Sequence, residues 1–189
     1  MRLITNRFMS FSPIAVLLVV VMTTSAFGEI ATQSTAERIQ VAKQFGDFKR
    51  SAFELRREAS TLKSFVPGMG LHYETHAQSL NTLRDQVNSL GKTLAKIEAL
   101  KPLASRNHGL AIEHARPHLV SVAQNLTAAI KLVSEDSRSM RWGEYRDTVS
   151  DIRTHADALY TKLDTILDFE KARTRLDNLG LQSASNQGT

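Results

Sequence analysis

The sequence predicts an all-α protein: an up-down-up-down antiparallel four-helix bundle, left-handed and heptad-patterned, behind an N-terminal signal peptide. Three observations predict it. Near the start, Ile14 to Met22 is an unbroken apolar run of nine residues. Further on, four stretches carry apolar residues at alternating spacings of three and four. Short breaker segments separate those stretches. With 9 Gly and 4 Pro in 189 residues, the chain lacks the turn formers of an all-β domain.

Residues 1–28 carry the address. Arg2 and Arg7 make a positive leading region, the apolar run follows, and Ala26-Phe27-Gly28 offers a small-residue cleavage site. This three-part order is that of a secretory signal peptide. Nine helical residues rise about 14 Å, roughly half of a hydrocarbon core, so the run is too short to anchor the chain. No later segment is apolar enough to span a bilayer. The expected product is exported, to a bacterial periplasm first and to full secretion as the alternative.

Four stripes follow. In the first, Val41, Phe45, Phe48, Ala52, Leu55, Ala59, Leu62 and Val66 define a helix over about 36–66. In the second, Tyr73, His76, Leu80, Leu83, Val87, Leu90, Leu94 and Ile97 define one over about 71–100. His108, Ile112, Ala115, Leu119, Val122, Leu126, Ala129 and Val133 mark the third, about 104–134. Trp142, Tyr145, Val149, Ile152, Ala156, Leu159, Leu163 and Ile166 mark the fourth, about 140–177. A 3.5-residue repeat puts one narrow apolar seam on each helix, and four seams leave water only by meeting each other.

Pro67-Gly68-Met69-Gly70, Pro102 with Leu103 and Ala104, and the polar stretch Ser134 to Ser139 are the joints. They are short, so successive helices are expected to run antiparallel in a bundle about 45 Å long. Residues 29–35 and 180–189 carry no stripe and are expected to be flexible and disordered respectively. Pro117 lies inside the third stripe, which continues in phase on both sides. It predicts a kink near Glu113 and not a break.

Composition excludes several functions. No cysteine means no disulfide, thiolate metal site, iron–sulfur cluster or covalently attached haem. Removal of residues 1–28, which hold two arginines and no acid, takes the net charge from +5 to +3. That excess is too small to argue for a nucleic-acid partner. The densest basic stretch, Lys43 to Lys63, interleaves six basic residues with three acids and reads as a solvated helix face. No Glu-x-x-His, His-Glu-x-x-His, Gly-rich phosphate loop or Gly-x-Ser-x-Gly is present. The first helix also lacks the Met that a non-covalent bundle cytochrome places there. No catalytic residue and no cofactor is predicted.

The histidines are the candidate chemistry. His72/His76 and His114/His118 sit at i,i+4, which puts both rings of each pair on one helical face. Pairing residues equidistant from a joint sets the levels. His76 then falls near residue 128 and His108 near residue 96, too far apart to share an ion. His118 falls near residue 158, within a turn of His155. His114, His118 and His155, with Asp151 one turn before His155, are the candidate metal ligands. His76 occupies a core stripe position level with Ala59 and Val149. It is the candidate cofactor ligand or, more plainly, a register-fixing core histidine satisfied by Glu58 or Tyr145. His108, near a helix start, is expected to be exposed.

The stretches HAQSLNTLRDQVNSLGKTLAKIEAL (His76 to Leu100) and YRDTVSDIRTHADALYTKLDTILDFEKARTRL (Tyr145 to Leu176) resemble uncharacterised small exported helical proteins of environmental bacteria. The resemblance covers about half of the chain beyond the signal. It implies export and a helical bundle and assigns no site residue. The functional expectation is therefore a non-enzymatic interaction or structural protein of the cell envelope, with an envelope protein or a second copy as partner. The alternative is a bundle that binds metal or haem through core or flank histidines.

Overall fold

A computed structural model of the chain describes residues 26–66, 73–100, 104–136, 138 and 143–186, with the backbone alone at 26–35 and 180–186. Four helices account for the described secondary structure: α1 (Ala26–Phe65), α2 (Tyr73–Ala99), α3 (Arg106–Glu135) and α4 (Gly143–Asn186). Each helix packs against its chain neighbours, and α1 closes the ring against α4. The result is a four-helix bundle. Among the described residues, no helix is long and apolar enough to cross a membrane. The expected signal segment lies largely outside the described residues.

The stripes become the core. Every buried hydrophobic residue among those described lies on a predicted stripe except Ala111. Phe45, Phe48, Leu55, Leu62, Leu80, Leu83, Leu90, Ile97, Tyr145, Ile152, Leu159 and Leu163 are its largest members. Ala115 and Ala129 on α3 and Ala156 on α4 are fully buried. Such small side chains let helix backbones approach, since interaxial distance follows the side chains at the contact.

Two stripe members depart from expectation. Tyr73 is 42% exposed, because it is the first residue of α2 and protrudes past the packed length. His108 is half-buried and not exposed. Its ring stacks on Phe45 with centroids 4.3 Å apart. Trp142 and the Pro-Gly and Pro102 joints lie outside the described residues.

The helix ends also differ. Residues 29–35 and 180–186, read as flexible or disordered, continue α1 and α4 as helix. Extending a helix from an existing nucleus fixes one residue per added hydrogen bond, so a missing stripe does not by itself end it. At the start of α3, Ser105 is the N-cap. Its hydroxyl accepts from the His108 N–H at 3.2 Å, and His108 Nδ1 accepts from the Ser105 N–H at 3.4 Å. His108 thus fills the place that Glu or Gln takes in a capping box. At the other end the Asp136 N–H closes onto Leu132 O at 3.2 Å.

Polar clamps fix the register of α1 on α4. Lys49 Nζ reaches Asp164 at 2.6 Å and Asp168 at 3.0 Å. Arg56 reaches Asp157 at 3.1 Å and lies 4.9 Å above the Tyr160 ring. Lys63 donates to Ser150 at 2.6 Å. The α1 number rises by seven at each clamp while the α4 number falls by seven. Arg116 of α3 pairs with Glu98 of α2 in the same manner. Solvent-exposed pairs of this kind contribute about 0–1 kcal/mol each, so they set register more than stability.

Candidate functional site

His76 lies in the core, 3% exposed. Its Nδ1 stands 3.0 Å from Tyr145 Oη, and Tyr145 is fully buried. Of the two partners expected from sequence, Tyr145 takes the bond. The level differs from the expected one: the rings packed on His76 are Phe65 at 6.0 Å and Tyr145 at 5.7 Å, both edge-on. Phe65 lies six residues past Ala59 and Tyr145 four residues before Val149, a displacement of one to two turns.

Burial pushes the His76 imidazole below its ordinary range and raises the Tyr145 phenol. Both groups are therefore neutral at pH 7. Whichever of Tyr145 Oη and His76 Nδ1 donates, the bond occupies that ring nitrogen and leaves Nε2 the complementary role. This pair is a closed polar unit inside an apolar core, and its ring nitrogen facing Tyr145 is already engaged.

The pair makes a testable unit. Tyr145→Phe strands the His76 nitrogen and is expected to cost about 1–3 kcal/mol. His76→Leu strands the phenol hydroxyl and is expected to cost a similar amount. The double variant removes both polar groups and is expected to come back near the parent. Urea midpoints of the four proteins measure it; single costs that simply add would sink the coupling. The pH dependence has a definite sign. His76 is a base whose folded pKa lies below the unfolded value near 6.5, so the unfolded chain takes up the proton first. Its contribution is intact above about pH 6.5 and is lost as pH falls from there toward the folded pKa. The double variant should lose less stability over that interval.

The second cluster sits on the α3–α4 flank. His118 Nδ1 and His155 Nδ1 are 3.3 Å apart, with ring centroids at 5.6 Å. Both residues are half-buried, while His114 and Asp151 are exposed. Burial holds His118 below the ordinary imidazole range, helped by the neighbouring His155, Lys162 and His114. Of the four expected ligands, the structure thus brings His118 and His155 into contact. The expected constellation is not gathered as a whole: among the described residues, no group of three or more His, Cys, Asp or Glu stands ready to hold a metal ion.

One feature escaped the sequence. A cavity of about 910 Å³ opens between α1, the start of α3 and the second half of α4. Its lining includes the apolar Phe45, Ala42 and Leu167, the polar Ser105 and His108, and the cations Arg38 and Arg175. Asn107, at the start of α3, donates to Glu170, which lines it. Burial lowers the His108 pKa, and the Glu170 carboxylate opposes that shift. The only sequence signal for it was a histidine interrupting the apolar stripe at position 108. The cavity arises where α1 and α4 outrun the α2–α3 joint, and no single stripe reports that. Comparison of the chain with protein-family models, with curated proteins and with solved structures found no match.

Proposed function

We propose that the chain is an exported helical bundle that serves the cell envelope as a non-enzymatic interaction protein. In this reading residues 1–28 are the signal, cleaved after Gly28, and the four helices are laid antiparallel, up-down-up-down. The opposed numbering of the α1–α4 clamps supports the antiparallel arrangement. Cleavage at that point removes only the first three residues of α1. The likeness to small exported helical proteins points the same way, to the periplasm.

The observation that carries the interaction reading is an uncovered apolar seam. On α4, Phe169, Ala172, Leu176 and Leu179 repeat at three, four and three residues. The three large ones are 61%, 69% and 61% exposed, and Ile39 of α1 is 65% exposed. This repeat is a second heptad stripe, displaced from the one that fills the core. Lys171 and Arg175 flank it without an ion pair among the described residues, and Arg173 pairs only with Asp177 at 3.9 Å. A second copy packed in parallel would bring these cations against their like. The seam therefore fits an acidic amphipathic helix of another envelope protein.

The test is crosslinking in cells followed by mass spectrometry of the adduct, with a Phe169→Glu/Leu176→Glu variant beside the parent. The parent is expected in the periplasmic fraction, beginning at Glu29, in an adduct with a second protein that the variant loses. Both positions are exposed, so the variant keeps the parent's melting temperature. A parent retained in the cytoplasm with Met1 in place would refute export. An adduct that survives in the variant, or one containing only this chain, would refute the proposed partner.

A further inference from the structure

We propose that His118 and His155 are the fixed ligands of a divalent transition-metal site of the zinc, copper and nickel class, completed by His114 and Asp151. The site is independent of the envelope-partner reading. Its basis is geometric. Two imidazole nitrogens bound at 2.0–2.1 Å in a tetrahedral shell lie roughly 3.3–3.4 Å apart. His118 Nδ1 and His155 Nδ1 stand at 3.3 Å. That separation also admits a single hydrogen bond between the two rings. It is the spacing of two ligands on one ion.

The two ligands come from different helices, and each is carried in the middle of a long one. His118 lies within α3 (Arg106–Glu135) and His155 within α4 (Gly143–Asn186). The core fixes their backbones: Leu119 and Ala156, the next residues along, are both buried. Half-burial of the rings leaves an entry path. His114 and Asp151 sit one turn before His118 and His155 on the same faces, exposed and free to rotate inward. The ligand set of imidazoles and one carboxylate is that of borderline metals, not of magnesium or calcium.

Lys162 is the opposing charge. Its side chain is exposed, so it can swing away when an ion enters.

The experiment uses the untagged mature protein, stripped with EDTA and titrated with Zn²⁺, Ni²⁺ or Cu²⁺. One ion per chain is expected by calorimetry. At about 100 times Kd of Zn²⁺, the melting temperature should rise by roughly 5–10 °C. His118→Ala and His155→Ala should each abolish the rise, while His114→Ala and Asp151→Asn should each weaken binding tenfold or more. Lys162→Met should tighten it. Circular dichroism in EDTA checks that the variants fold. The Cu²⁺ electron paramagnetic resonance spectrum of the parent gives a readout that needs no variant, since imidazole nitrogens split its lines. No rise in melting temperature, a rise that survives in the His118→Ala/His155→Ala double variant, unchanged affinity in both the His114 and Asp151 variants, or a copper spectrum without nitrogen splitting would each overturn the site.

Discussion

Leu159→Ala is expected to destabilise the protein by about 2–5 kcal/mol. Leu159 is fully buried in the middle of α4, so the truncation loses the transfer energy of the removed methyls and leaves a cavity. For a chain of this size each kcal/mol lowers the melting temperature by about 2–4 °C, so the fall should be roughly 4–20 °C. The internal control is Leu176→Ala on the same helix, at a position 69% exposed. Both substitutions exchange leucine for alanine within one helix, so intrinsic propensity cancels. What remains is burial, and the exposed site should change stability by no more than about 0.5 kcal/mol. Thermal and urea unfolding followed by circular dichroism measure both. Equal costs at the two sites would mean that the stripe at 145–166 is not the core face of α4.

That contrast also marks what could be read from the chain. The core was legible because burial and periodicity are one property seen twice: a seam with a 3.5-residue repeat has one way to leave water. Leu159 and Leu176 both belong to heptad repeats, however, and spacing alone does not tell which of two stripes on one helix is covered. The answer lies in where neighbouring helices end. The same cause misplaced Tyr73, a stripe residue one turn past the packing, and hid the cavity beside Phe45. His76 shows the limit in finer detail. Its burial followed from its stripe, and its bond to Tyr145 was one of two foreseen. Its level was displaced by one to two turns, since α2 begins only at Tyr73, well past Pro67. For His118 and His155, counting from the joint was accurate to within a turn, enough to bring them together. It was not enough to say that His114 and Asp151 stay exposed and outside that contact, because rotamers leave no trace in spacing. His108 was misread because its neighbours are Phe45 and its own helix cap, neither visible from the repeat.

Pro117→Ala is expected to raise stability by about 2–3 kcal/mol. Proline inside a helix lacks the N–H that would bond to the carbonyl four residues back, here Glu113, and its ring crowds that carbonyl. The cost relative to alanine is about 3 kcal/mol. α3 nonetheless runs unbroken from Arg106 to Glu135, so the bundle carries the cost. Pro117 is exposed, and its removal opens no cavity. The gain is offset only by the freer unfolded chain, worth about 0.4–1 kcal/mol. Melting in EDTA should therefore move up by roughly 4–12 °C. A lower melting temperature would show that the proline's geometry is required by the packing around it. The position of Pro117 supplies a reason for it to persist. It lies between His114 and His118, in the one turn of α3 that the proposed metal site uses. The proline ring crowds the turn that carries His114, and so bears on the reach of His118 toward His155. Regularising that turn should move the two nitrogens off their 3.3 Å spacing. The same variant that gains stability without metal is then expected to lose most of the zinc-dependent rise. A Pro117→Ala protein that melts higher and still binds zinc like the parent would assign the proline no part in the site.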